Sequence, residues 1–585
     1  MNVNPKYFLQ IKSAFRKLKM KTKALSYQIL TLIEGFVFIL FVSACQQTTQ
    51  TEDQNDSSIY RTQAYEENIG PTIESILKKG NDILILNGDS LKAFPFFKSL
   101  ISTNGKTLFT DNGKLNQRGD SLYQILKNAR HYALYSPHYH IPKIDSLLPQ
   151  LFFREDSTFN VYNIAQLEFL LLDGYFKMGA HLNKGRCNPK TFLPEWNTTK
   201  LDSNWVEILT RGHQDQNYRA ALESLEPTHP DYKALMIEFR NYLSNTTRKD
   251  WDSLAIGDTK DSANFSNKIT IRLKEFGYYE EDPNTTPAKA LKKAILAFQK
   301  DNKINTDGKL GRTTLQLLRR SKELSIRMME ISLERWRWEA KEFPERYFLI
   351  NIPSAELKIF EKDENGVDTL VLQSNVVVGK PLSPTPQLSS TLNYFTIYPY
   401  WNVPYSIASE EILPKVKADT AYLRKKNFDV LNSDGVVLSP ASVNWKRLNA
   451  GNFNLRFRQR IGADNSLGIM VFNFPNPYSV YLHDTNSKNY FSSSNRFQSH
   501  GCIRLEKYVE TAKFLIRDDT LKIPYDTLNT YLATPTQRRI SFKKKVPIYI
   551  RYYTHIADST GGIFKYADVY GHDEKLVNAV YTQIP

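Results

Sequence analysis

Cysteine is scarce: Cys45, Cys187 and Cys502 are the three in 585 residues. So few exclude a disulfide-stapled scaffold, which needs an even set of regularly spaced cysteines. Long apolar runs are missing as well. The N-terminal stretch "FVFILFV" (36–42) falls short of the roughly 20 residues that a bilayer-spanning helix needs, and Glu34 interrupts its approach. There is no dense basic block. The formal charge is +16, but part of it sits at Lys6, Lys12, Arg16, Lys17, Lys19, Lys21 and Lys23, and the rest is dispersed. Dispersed charge leaves a weak nucleic-acid footprint and suits an anionic polymer or a membrane surface equally well. His138, His140 and His181 stand isolated and read as ordinary surface or core histidines.

What is present points to a large exported protein. The length suggests three or four domains at roughly 100–200 residues each. Apolar residues make up 41% and aromatics 12%, enough for sizeable cores. The basic run before "FVFILFV" and the small residues after it form a signal-peptide pattern, with Met20 a better start than Met1. "VSAC" (42–45) resembles a bacterial lipobox, which would make Cys45 the lipidated residue of a signal spanning 1–45. "QQTTQTEDQNDSS" (46–58) has the composition of a polar tether, taken to run over 46–65.

The fold class expected is multidomain α+β. Residues 66–260 read as a mainly helical scaffold, since Leu167, Leu170, Leu171, Gly174 and Tyr175 recur at helical spacing. Residues 261–320 read as a small three-helix unit. Leu291, Ala294, Ile295 and Phe298 form one apolar stripe, and "DGKLG" (307–311) punctuates the turn that follows. A connecting helix is expected over 321–345, with Ile326, Met329, Leu333 and Trp336 on its core face. From 346 the period becomes two, through "YFLINIPSAELKIF", "LQSNVVVGK", "NYFTIYPYWNVP" and "GIMVFNFPNPYSVYLHD". This β-rich domain is expected to run to 535, with a largely helical insertion at about 400–460 as a candidate lid. A β segment at 536–585 is expected to pack on it.

Cys502 lies in "SHGCIRL" (499–505). A thiol attacks well only as thiolate, so a nucleophilic cysteine needs a base or a positive field beside it. His500 precedes it by two residues, and His483 lies 19 residues upstream at the end of "VYLHD". Gly501 admits a positive φ, and with it a backbone amide aimed at an oxyanion. Arg504 is a fixed cation able to grip a carboxylate with two parallel hydrogen bonds. Thiol, base, oxyanion donor and clamp together suit acyl transfer from a peptide-like substrate. A structural or disulfide thiol paired with Cys187, and a zinc site with His483, His500 and Asp484, stay open at this point; the zinc case lacks a full ligand set.

The pattern H…SHGC.R, with "YWNVP", "LHDT", "LERWRW", "VVVGKP…TP" and "EILPK", resembles the L,D-transpeptidases with a YkuD-type catalytic domain, in their large YcbB-like subfamily. The three-helix unit, with its FQ…DG..G..T spacing, resembles a peptidoglycan-binding domain. The resemblance implies that Cys502 is the nucleophile and His483 its base, oriented by a backbone carbonyl. Ser499, His500, Gly501, Arg504, Trp401 and Asn402 would line the substrate groove. It implies a thioester with a tetrapeptide stem, 3→3 cross-links, inactivation by carbapenems, and no metal or organic cofactor. The implied partners are peptidoglycan stem peptides and glycan strands, the membrane through the lipid on Cys45, and other wall-synthesis proteins; nucleic acid is not among them. The implied place is the periplasmic cell envelope, with the outer membrane favoured. The alternatives are L,D-carboxypeptidase or D-amino-acid exchange at the same site, or a non-catalytic lipoprotein tether. A papain-like enzyme would need its histidine after the cysteine, at His555 or His572. A serine enzyme built on "SILK" (75–78) lacks a K-T-G partner.

Overall fold

The computed structural model describes residues 65 and 67–581, apart from 102–105, 152–158, 195, 197–203, 245–261, 303, 321, 520–521 and 558–561. The export signal, Cys45 and nearly all of the tether lie outside the described residues.

The N-terminal scaffold is helical, as its periodicity predicts. Helices α1 (Gln117–Lys127) and α3 (Trp205–Gln214) surround α2 (Val161–Lys184). The expected face of Leu167, Leu170, Leu171 and Tyr175 is fully buried, but so are Phe169, Leu172 and Phe176 on the other sides. A helix apolar all round belongs in the middle of a layer rather than on its surface. Helix α4 (Pro230–Ser244) leaves this core. Its Tyr232, Leu235 and Phe239 pack instead with Met329, Leu333 and Trp336 of the connecting helix α8 (Lys322–Trp336) and with Tyr553 near the C-terminus.

Helices α5 (Ser262–Glu275), α6 (Pro287–Asp301) and α7 (Arg312–Leu318) form the three-helix unit around Leu273, Ala294, Ile295, Phe298 and Leu318. Its motif has a physical basis. The buried Gln299 amide reaches the Lys309 carbonyl at 2.8 Å and Thr314 at 3.1 Å, and its oxygen accepts from the Gly308 amide at 2.8 Å. One glutamine thereby ties the Asp-Gly turn to both flanking helices.

The β-rich domain is a closed sheet. Its first four strands are β1 (Arg346–Asn351), β2 (Glu356–Lys362), β3 (Asp368–Gly379) and β4 (Leu388–Ile397). The insertion carries β5 (Trp401–Asn402), β6 (Phe428–Leu431), β7 (Val437–Leu438) and β8 (Arg456–Gln459). The later strands are β9 (Met470–Asn473), β10 (Leu482–His483), β11 (Phe497–Ser499), β12 (Ile503–Leu505) and β13 (Arg538–Arg551). Pairing runs β2-β1-β13-β4-β9-β10-β12-β3 and returns to β2, with β11 added on β3. Closure leaves no free edge in the ring. Its core includes Phe348, Val376, Phe395, Phe472, Leu482 and Ile503, joined by Leu515 and Ile516 from helix α9 (Tyr508–Ile516).

Two findings differ from the sequence-based expectation. The insertion is helical over 405–425, as expected, but it also holds a four-stranded antiparallel sheet, β7-β6-β8-β5. It has its own core of Val416, Phe428, Trp445 and Phe457. Its strands are two to four residues long, too short to show a period. The C-terminal segment, in turn, does not only pack on the catalytic domain. Strand β13 runs between β1 and β4, parallel to the first and antiparallel to the second. Among the described residues no helix is long and apolar enough to cross a membrane.

Candidate active site

Cys502 sits in the sharp return between β11 and β12. Gly501 holds φ at +108°, and a Cβ there would meet nothing closer than the Pro384 carbonyl at 3.6 Å. Backbone conformation, rather than crowding, is therefore what demands glycine. The turn is tied at every residue. Ser499 Oγ donates to the Cys502 carbonyl at 2.5 Å and accepts the Gly501 amide at 3.2 Å. The Gly501 carbonyl accepts from Thr385 Oγ1 at 2.8 Å, and the same oxygen accepts the Gly379 amide at 2.8 Å. Tyr570, from the C-terminal segment, donates to the Gly379 carbonyl at 2.6 Å.

The base candidate stands on the adjoining strand. Strands β10 and β12 are parallel, with Leu482 opposite Ile503 and His483 opposite Arg504. Residues opposite one another share a face, and so do alternate residues along a strand. His483 and Arg504 therefore lie on one face, with Cys502 one pleat earlier. His483 is 4% exposed. Its Nδ1 is hydrogen-bonded to the Asp484 carbonyl, an acceptor only, so Nδ1 carries the proton and Nε2 is the basic nitrogen. Burial, with the Arg504 charge second, pushes the ring down to about 4, against the pull of the Asp484 and Leu467 backbone. Burial also pushes the Cys502 thiol up, with the Tyr481 backbone and Arg504 pulling the other way. The thiol faces the Ser479 carbonyl at 3.9 Å. Burial thus favours the uncharged form of both groups, which fits general-base activation better than a preformed ion pair.

Among the described residues Arg504 has no acidic partner. Its guanidinium lies 5.3 Å from the Tyr490 ring, and its Nη1 is buried without a hydrogen-bond partner. A buried cation in that condition is costly unless a ligand completes it. His500 turns to the insertion, where its Nε2 meets Glu411 Oε1 at 2.8 Å. Trp401 and Asn402 lie in β5 at the root of the insertion. Trp401 packs against the insertion's own core, near Phe428 at 6.2 Å, and Asn402 is exposed. Among the described residues neither forms a hydrogen bond, ion pair or ring contact with the Cys502 turn.

The rival arrangements are not assembled. Cys187 and Cys502 are both free thiols, and burial pushes Cys187 up to about 12. His555 is fully buried, its backbone amide bonded to Ser332 of α8, and His572 lies against Tyr552 at 4.9 Å. Among the described residues no group of three or more His, Cys, Asp or Glu is placed to hold a metal. Sequence reasoning missed Thr385, Tyr570, Tyr490 and Glu411. Thr385 and Glu411 lie inside "VVVGKP…TP" and "EILPK" without an evident role there, and nothing in the sequence marks Tyr570.

Residues 345–523 match the family model described as the L,D-transpeptidase catalytic domain, YkuD, and residues 267–318 match a "Putative peptidoglycan binding domain". Residues 101–238 match a scaffold domain. The chain therefore carries an L,D-transpeptidase catalytic domain together with a peptidoglycan-binding domain, as the motifs suggested. It is 33% identical over 231 residues to a protein of Haemophilus influenzae called "Putative L,D-transpeptidase", an alignment that covers 39% of this chain and 44% of that protein. The chain thus spans less than half the length of the curated relative it matches.

Proposed function

We propose that this chain is a cysteine-dependent peptidoglycan L,D-transpeptidase of the large YcbB-like kind. The observation that carries the proposal is the carbonyl-oriented His483 on β10, paired in register with the strand that begins directly after Cys502. In this reading Arg504 grips the terminal carboxylate of a tetrapeptide stem and so sets the third-residue carbonyl over the thiol. Cys502 Sγ attacks that carbonyl while His483 Nε2 takes its proton. The Cys502 amide, turned outward by the positive φ of Gly501, faces the oxyanion; the Gly501 amide is already held by Ser499. Collapse of the tetrahedral species expels D-alanine, protonated by His483, and leaves a thioester on Cys502. An amine of a neighbouring stem then displaces the thiol to give the 3→3 link. Ser499, His500, Trp401 and Asn402 complete the groove. The chain acts in the cell envelope, anchored through lipid on Cys45.

Intact mass spectrometry with a purified tetrapeptide stem tests this. The wild type gains the acyl mass at Cys502, a carbapenem adds at the same residue, and Cys502→Ala gains neither. Cross-linked muropeptides formed by Cys502→Ala would refute the mechanism. Wall binding by a wild type that is never acylated would leave the tethering role instead.

A further inference from the structure

The acceptor half of the reaction needs a feature that tells an amine from water. The insertion supplies one carboxylate at the mouth of the Cys502 turn. Glu411 lies in a single π-turn, Ala408–Ile412, where the Leu413 amide reaches back to the Ala408 carbonyl. Pro414 follows and has no amide to offer the Glu410 carbonyl, so the wide turn is built into the sequence. Ala408, Ser409, Ile412 and Leu413 are buried by the insertion, which turns Glu411 outward to the catalytic turn. There it pairs with His500 at 2.8 Å, both side chains being about two-fifths open to solvent (43% and 41%). His500 is two residues from the nucleophile. Asp484, next to His483, is engaged by the Ile469 amide and by Lys488.

We propose that Glu411 is the acceptor-specificity residue: it receives the ammonium of the incoming side-chain amine in place of His500 and holds it beside the Cys502 thioester. This rests on the transpeptidase reading above. An alkylamine titrates near pH 10.4 and arrives as a cation. Arg504 offers the donor's carboxylate a positive charge on one side of Cys502, and Glu411 offers the acceptor's ammonium a negative one from the insertion. Water can give Glu411 only an uncharged donor's hydrogen bond, whereas the ammonium gives one strengthened by charge, so the carboxylate favours aminolysis over hydrolysis. The step balances. The C–N bond forms as the C–S bond breaks. Of the three ammonium protons one stays on the new amide, one returns to Sγ through His483, and one passes to the displaced His500 and on to water.

The test is the product ratio. Wild type, Glu411→Gln, Glu411→Asp and Glu410→Gln are given tetrapeptide donor with an amine-bearing stem as acceptor, and cross-linked dimer and hydrolysed tripeptide are counted by mass spectrometry. The ratio cancels any change in acylation itself. It should fall about tenfold in Glu411→Gln, the worth of one charge-assisted hydrogen bond. It should recover in part in Glu411→Asp and stay at the wild-type value in the exposed Glu410→Gln. The KM for the amine should rise while the hydrolysis rate holds. An unchanged ratio in Glu411→Gln, with the donor still acylating Cys502, overturns this inference alone. A wild type that is never acylated overturns the transpeptidase reading and this one with it.

Discussion

Thr385 offers a sharp test of how the catalytic turn is held. It is 2% exposed, and its hydroxyl bridges two backbone groups, donating to the Gly501 carbonyl and accepting the Gly379 amide, each at 2.8 Å. Thr385→Val keeps the shape and removes both bonds, leaving one buried acceptor and one buried donor unpaired. At about 1–3 kcal/mol for each such group, the loss is about 4 kcal/mol. Thr385→Ser keeps both bonds and loses one methyl, about 1 kcal/mol. A domain of roughly 150–250 residues moves its melting point by about 2–4 °C per kcal/mol. The valine variant should therefore melt about 8–16 °C lower and the serine variant about 2–4 °C lower. Scanning calorimetry reads this, following the transition of the β-rich domain. The valine variant should also acylate slowly below its melt, because the Gly501 carbonyl is free to rotate. Valine and serine variants melting within about 2 °C of each other would show that the hydroxyl bridge does not hold the turn.

Other consequences are equally direct. His229 is buried against Trp336 at 4.4 Å, and burial pushes it down to about 4. The unfolded chain, near 6.5, then binds more protons between those values, so stability is complete above about pH 6.5 and is lost as pH falls toward 4, by about 3 kcal/mol in all. Urea midpoints at pH 7.5 and 5.0 should converge in His229→Phe relative to wild type; an equal fall in both would refute this. Cys187, pushed up to about 12, should stay unmodified by iodoacetamide at pH 8 in peptide maps, and labelling equal to that of Cys502 would contradict its burial. Arg504→Lys keeps the charge but loses the planar fork, so the donor KM should rise about tenfold. An unchanged KM would remove Arg504 from the groove.

The helical scaffold, the three-helix unit and the strands around Tyr347, Val377 and Phe472 were legible because each repeats its apolar residues at a local period. Cys502, His483, Gly501 and Arg504 stood out as candidates in the sequence because their chemistry is unusual and their spacing specific. The short strand that holds Trp401 and Asn402 was not legible, since two residues show no period. Tyr570 was out of reach for another reason: its hydroxyl meets the Gly379 carbonyl across 191 residues of chain.

By itself the sequence determined which residues are candidates for chemistry: a thiol, a histidine upstream, a glycine where φ must be positive, and a cation able to take a carboxylate. Those are properties of residue type and of local backbone. Tertiary structure alone decided that β13 enters the middle of the sheet, that Thr385 and Tyr570 brace the Cys502 turn, and that Glu411 faces His500. Each is a contact between segments far apart in the chain, brought together by closing the ring of strands and folding the insertion back over it. No local pattern records where such a closure places a side chain.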